Sequence, residues 1–212
     1  VRDYIAQFMF NSPPGHSDAM DLAKMLAALE LVRPLENDTF RVYRQTRTGL
    51  LSYPVDPVAS RAHLATSVYM QMALKPHIIH VVGHTEAHHA ATAEDVIEAC
   101  GLARRAVENA LEGAPDMTAD PAIRRRVSDL VAEARITLKA IASLAEKDTT
   151  DPFTDAGVLA RAVSTGIMDA PQLRNNPFAC GKIATRIIDG ACVAVDSTGQ
   201  PLSETDRLNP FL

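Results

Sequence analysis

HIIHVVGHTEAHHAATAEDV, residues 77–96, holds five of the seven histidines of this chain: His77, His80, His84, His88 and His89. Its first six residues form a short β-branched run, which reads as a buried strand. The histidines therefore gather at the carboxyl end of a strand, where α/β folds build their sites. A zinc site of the HExxH kind needs two histidines four apart on a helix, with the glutamate directly after the first. His84 and His88 have the spacing, but Glu86 stands one place too late, and a strand-end loop does not bring i and i+4 together. His77 and His80 are three apart on a strand and so point to opposite faces. The stretch reads as the polar lining of a cavity, or as the cap of the following helix.

Outward from that strand, the N-terminal part alternates. YIAQFMF (4–10) reads as a buried strand and NSPPGHS (11–17) as a loop. Residues 18–32 carry a helical apolar stripe behind Ser17 as N-cap. FRVYRQ (40–45) alternates as a strand, 46–57 reads as a loop, and 58–74 as a helix. Strands separated by long helices predict parallel pairing, in a doubly wound sheet or in part of a (β/α)8 barrel. About three βα units fit, so a barrel would need most of its strands from another polypeptide. Residues 92–113 open with a Thr92–Asp95 capping box and close on Gly113. Asp120 and Pro121 open a helix over 120–147, 154–166 is a shorter one, and 181–199 reads as a hairpin turning at Asp189–Gly190. The expected organisation is a partial barrel in 1–92, long helices in 93–166 and a hairpin extension in 167–212.

Composition narrows the function classes. The chain has 212 residues, 47% hydrophobic, and a formal charge of -5. The acidic balance argues against nucleic acid, which needs clustered Lys and Arg. No apolar run reaches the roughly 20 residues of a membrane span, and no signal peptide is visible. Cys100, Cys180 and Cys192 show neither a CxxC pair nor an even count, which predicts reduced thiols in the cytoplasm. The chain opens on Val1 and enters an apolar segment almost at once, which predicts a fragment or one half of a split protein. Strands buried on both faces and exposed sheet edges predict a partner, or dimerisation.

A series of pieces carries a resemblance. From HIIHVVGHTEAHHAATAEDVIEACGLARRAVENALEGAPDM through STGIMDAP, NPFACGKI and LSETDRL, the chain resembles the large E subunit of glutamate mutase (methylaspartate mutase). The match runs colinearly over roughly residues 40–208. More faintly, FMFNSPPGHSDAMDLAKML looks like an earlier strand–loop–helix unit of the family, and LLSYPVDPVAS like its Gly-Gly-Phe-Pro loop. No single motif is a strong signature.

The resemblance implies strands six to eight of a (β/α)8 TIM barrel, followed by helices and a C-terminal β-hairpin. It also implies adenosylcobalamin, held mainly by a separate small subunit, and the radical isomerisation of L-glutamate to 3-methylaspartate. A small-molecule substrate, an amino acid or dicarboxylic acid, goes with it. Glu86 matches a family glutamate that contacts the ribose of the adenosyl group, and Ala90 a second contact residue. Val82 stands where the family has a lysine, a departure that His84 could partly make good. Thr46 lies near a family phenylalanine of the cofactor pocket. The family's substrate-gripping arginines lie in a part this chain lacks. Arg44 and Arg47 are expected at the strand's carboxyl end, where a guanidinium can grip a carboxylate. The DxHxxG pattern of the cobalamin-carrying subunit is absent. Two other readings stay open: a noncatalytic subunit that completes a partner's barrel, and a metal-dependent lyase or hydrolase on His84, His88 and Glu86.

Overall fold

The computed structural model describes residues 1–211, in two compact units, Val1–Ser128 and Asp129–Leu212. The first unit contains three strands, β1 (Asp3–Phe10), β2 (Arg41–Thr48) and β3 (Ile78–His80), in one parallel sheet of order β1-β2-β3. Three helices interleave with them: α1 (Asp18–Val32), α2 (Pro57–Gln71) and α3 (Ala93–Gly113). Each starts on the cap its sequence supplies. Ser17 accepts from Met20 N–H, Asp56 from Ala59 N–H, and Thr92 and Asp95 close a full capping box.

The sheet is singly wound. Ala6, Phe8, Phe10 and Val42 pack with Leu22, Ala23 and Met25 of α1 and Met70 of α2 in one core. Leu64 and Val68 of α2 and Ala99, Ala103 and Ala106 of α3 form a second core with Val82. All three helices thus continue along one face. The opposite face carries Ile5, Gln7 and Met9 of β1, Tyr43, Gln45 and Arg47 of β2, and Ile78 and His80 of β3, by alternation and register. It is open at Ile5, which keeps 52% of its surface, and at Gln7, Ile78 and His80, while Met9, Tyr43, Gln45 and Arg47 are half-buried. The described strands do not close into a barrel.

Two strand limits differ from expectation. β2 runs through Thr48 because Thr46, Arg47 and Thr48 pair with Phe8, Met9 and Phe10. Thr46 and Thr48 turn their methyl-bearing side chains inward, buried, so a polar-looking tripeptide is strand. β3 stops at His80 rather than residue 82, because Val82 leaves the ladder for the core between α2 and α3. Gly49 sits where the loops after β1 and β2 press together. A Cβ there would lie 3.0 Å from both Phe10 O and Asn11 O.

Helix α4 (Pro121–Ala142) starts in the first unit and ends in the second, five residues short of expectation, as Ser143 and Leu144 turn back onto the carbonyls of Lys139 and Ile141. The second unit adds α5 (Ala156–Thr165), the antiparallel hairpin β4 (Ala184–Ile188)–β5 (Ala191–Val195) and α6 (Glu204–Leu208). Its core is Ala140, Ile141, Val158, Ala162, Ile167 and Leu208. No helix among the described residues is long and apolar enough to cross a membrane.

One carboxylate organises the loop before the hairpin. Asp169 accepts four backbone N–H groups, from Ala170, Gly181, Lys182 and Ile183, at 2.8–3.0 Å. Burial pushes its pKa up, but the four amides outweigh burial and hold it below the ordinary 3.8. A depressed pKa contributes stability that is present above the ordinary value and fades as pH falls through the folded one. Urea denaturation of wild type and Asp169→Asn should therefore show a gap that is full at pH 6 and shrinks below pH 4. A gap independent of pH sinks this account.

Candidate functional site

The carboxyl ends of the three strands meet three loops, 11–17, 49–56 and 81–92, and each is tied down by side chains. Tyr53 is buried and donates its phenol to Val82 O at 2.6 Å. Burial pushes the phenol's pKa up to about 12, so it stays protonated and keeps donating. Ser60 donates to His84 O at 2.8 Å. Ser52 shares its hydroxyl between Gly49 O (2.7 Å) and His63 Nε2 (2.9 Å). Burial lowers the pKa of His63.

Beneath the loop after β1 lies a polar network. Asp21, fully buried in the first turn of α1, accepts from Asn11 N–H at 2.5 Å and pairs with Lys24 Nζ at 2.7 Å. Lys24 also donates to Ser12 O, and His16 Nδ1 stands 3.4 Å from Asp21. Burial first, then Lys24, lowers the pKa of His16 against the pull of Asp21. Ser67 donates to Asn11 Oδ1 at 2.7 Å, and Gln71 Nε2 donates to both Ser67 and Thr48 at 3.1 Å.

The residues singled out from the sequence separate into three groups. Glu86 and Ala90 lie exposed in the loop after β3. Glu86 Oε1 accepts the Gly83 amide at 2.5 Å, and a Cβ on residue 83 would meet that oxygen at 3.1 Å, so glycine there permits the closure. Val82, Thr46 and His84 are closed off, with 1%, 0% and 2% of their surface exposed. Val82 is core and packs against residues of α2 and α3. Thr46 lies on the helix-covered face. The His84 ring stands 3.4 Å from Glu98, itself gripped by Arg61 at 2.6 and 3.1 Å.

The two arginines part company. Arg44 lies on the helix face, mid-strand, and its Nε and Nη2 donate to Lys75 O at 3.0 and 2.8 Å. It is not at the strand's carboxyl end. Arg47, three residues on, projects from the open face. Its Nε is shut off from solvent with no hydrogen-bond partner, and it makes no ion pair among the described residues.

The histidines disperse as well. His77 Nδ1 accepts from Arg44 N–H at 3.0 Å, His88 Nε2 stands 3.3 Å from Pro54 O, and His89 Nε2 stands 3.2 Å from Asp95. His80 stands exposed on the open face. His84, His88 and Glu86 each take a different neighbour, and no three acidic, His or Cys groups among the described residues could hold a metal. The Asp21 network went unforeseen. Its signal was the Asp21–Lys24 pair, three apart in a helix start that is apolar but for Asp18. No family model matches the chain, and no curated protein matches it.

Proposed function

We propose that this chain supplies three strands of a (β/α)8 barrel, corresponding to strands six to eight, and that another polypeptide supplies the rest. The completed enzyme is an adenosylcobalamin-dependent isomerase of the glutamate mutase type, rearranging L-glutamate to 3-methylaspartate, with a small cobalamin-carrying subunit as further partner. The observation that carries the reading is the open face of a singly wound sheet. A barrel keeps its helices outside and its strand ends around the substrate. On that face Arg47 is a guanidinium short of a partner, suited to a substrate carboxylate.

The cofactor's fit is to Glu86 and Ala90 alone. Both are exposed beside the strand ends, whereas Val82 and Thr46 are closed to any ligand. Adenosylcobalamin, when bound, supplies the radical that starts the rearrangement. This chain's part is to orient. A carboxylate accepts two hydroxyl hydrogen bonds, which suits a ribose diol at Glu86, whose backbone turn the Gly83 amide fixes.

The test is the native mass of the chain purified from its own cells. A larger chain and a cobalamin protein in fixed ratio, with a cob(II)alamin radical signal on adding glutamate, are expected. A well-folded monomer or a closed homodimer overturns the reading. Glu86→Gln keeps the acceptor for Gly83 but removes the charge. It should weaken adenosylcobalamin retention about 10- to 100-fold. Unchanged retention and turnover would instead favour the noncatalytic, barrel-completing subunit.

A further inference from the structure

We infer that one oxyanion of the substrate sits between Arg47 and His80, and that Gln45, one layer toward the strand's start, receives the second polar end of the same molecule. This rests on the reading of the open sheet face as the substrate site. Arg47 and His80 are register partners on neighbouring parallel strands. Their Cα positions are thus a strand spacing apart, about 4.8 Å, and both project from the same face. His80 is exposed, and its ring makes no hydrogen bond among the described residues. The Nε of Arg47 is closed to solvent and unpartnered. No protein acceptor neutralises this guanidinium among the described residues, so an oxyanion reaching it meets the two terminal nitrogens, which can donate side by side.

The row beneath is of another chemistry. Gln45 pairs in register with Gln7, and both lie on the open face. Two residues along a strand is about 6.6 Å. The row beyond, Ile5 and Tyr43, is apolar and aromatic. The rows are Met9, Arg47 and His80, then Gln7, Gln45 and Ile78, then Ile5 and Tyr43, and the polar groups of the first two fit an acid whose few-carbon chain ends in a second hydrogen-bonding group. A monoacid leaves the amide row unmatched, and an uncharged alcohol leaves Arg47 unmatched. Arg44 and His84 cannot share the task, since one is engaged with Lys75 O and the other is buried.

The experiment is a calorimetric titration of the full chain, alone and in whatever assembly co-purifies, with glutarate, butyrate and butanol. Glutarate should bind at least about tenfold tighter than butyrate, with butanol undetected. Arg47→Gln should cost about 30-fold in glutarate affinity and His80→Gln about fivefold. Gln45→Leu should bring the glutarate-to-butyrate ratio close to one while leaving butyrate unchanged. Circular dichroism of each variant checks folding. If neither form binds glutarate, or Arg47→Gln binds it as wild type does, the inference fails. Glutarate binding by a chain that assembles with nothing sustains it while ending the split-barrel reading. An active assembly whose KM ignores Arg47→Gln and His80→Gln does the reverse.

Discussion

Replacing Asp21 by alanine is expected to lower the stability of the first unit by about 3 kcal/mol, because it strands several groups that one buried carboxylate satisfies. The Asn11 amide, Lys24 and His16 all converge on it. Lys24 keeps 32% of its side chain exposed, so water softens the loss of the ion pair. The half-buried Asn11 amide loses a charged acceptor, and that loop position also anchors Ser67. Lys24→Ala should cost less, about 1 kcal/mol, because Asp21 keeps its amide donor. Urea titrations of the two variants and of the double variant measure the coupling. Equal costs for the two single variants contradict this account of the network.

The second large effect concerns Val82→Lys, which places at residue 82 the lysine of the mutases this chain resembles. Val82 is 1% exposed among Tyr53, Leu64, Val68 and Ala99. An ammonium placed there has no partner, so a loss of roughly 4 kcal/mol at pH 7 is expected. A buried lysine favours its neutral form. The folded pKa is then depressed, the unfolded one ordinary, and the penalty should shrink as pH rises toward 10. Denaturation at pH 7 and pH 10 reads this directly. If Val82→Lys is as stable as wild type at pH 7, the side chain reaches solvent, and position 82 is open to a ligand after all.

Much of the fold is legible in the residues. Apolar runs gave the strands, and Ser17, Thr92 and Pro121 marked helix starts, because a cap is a local device that needs no knowledge of the rest of the chain. The end of β2 was hidden because Thr-Arg-Thr is polar in composition. Only pairing with Phe8–Phe10 makes it strand. That one extension decides much of the site. Once residues 44 to 48 share a strand, parity sends Arg44 and Arg47 to opposite faces, which a loop reading leaves open. Val82 and His84 show the converse. Their place at a strand's end suggested a site, yet the chain turns them under α2 and α3, a tertiary choice that no local pattern records.

The sheet's two unpaired edges bear on the life of the protein in a cell. A chain that gains its last strand pairings from another polypeptide has a stability that rises with that polypeptide's concentration, by mass action. Copies made in excess remain partly open, with edges that chaperones and proteases recognise. In the proposed assembly its abundance is set less by its own synthesis than by that of the completing chain, and the two levels should fall together when either gene is silenced.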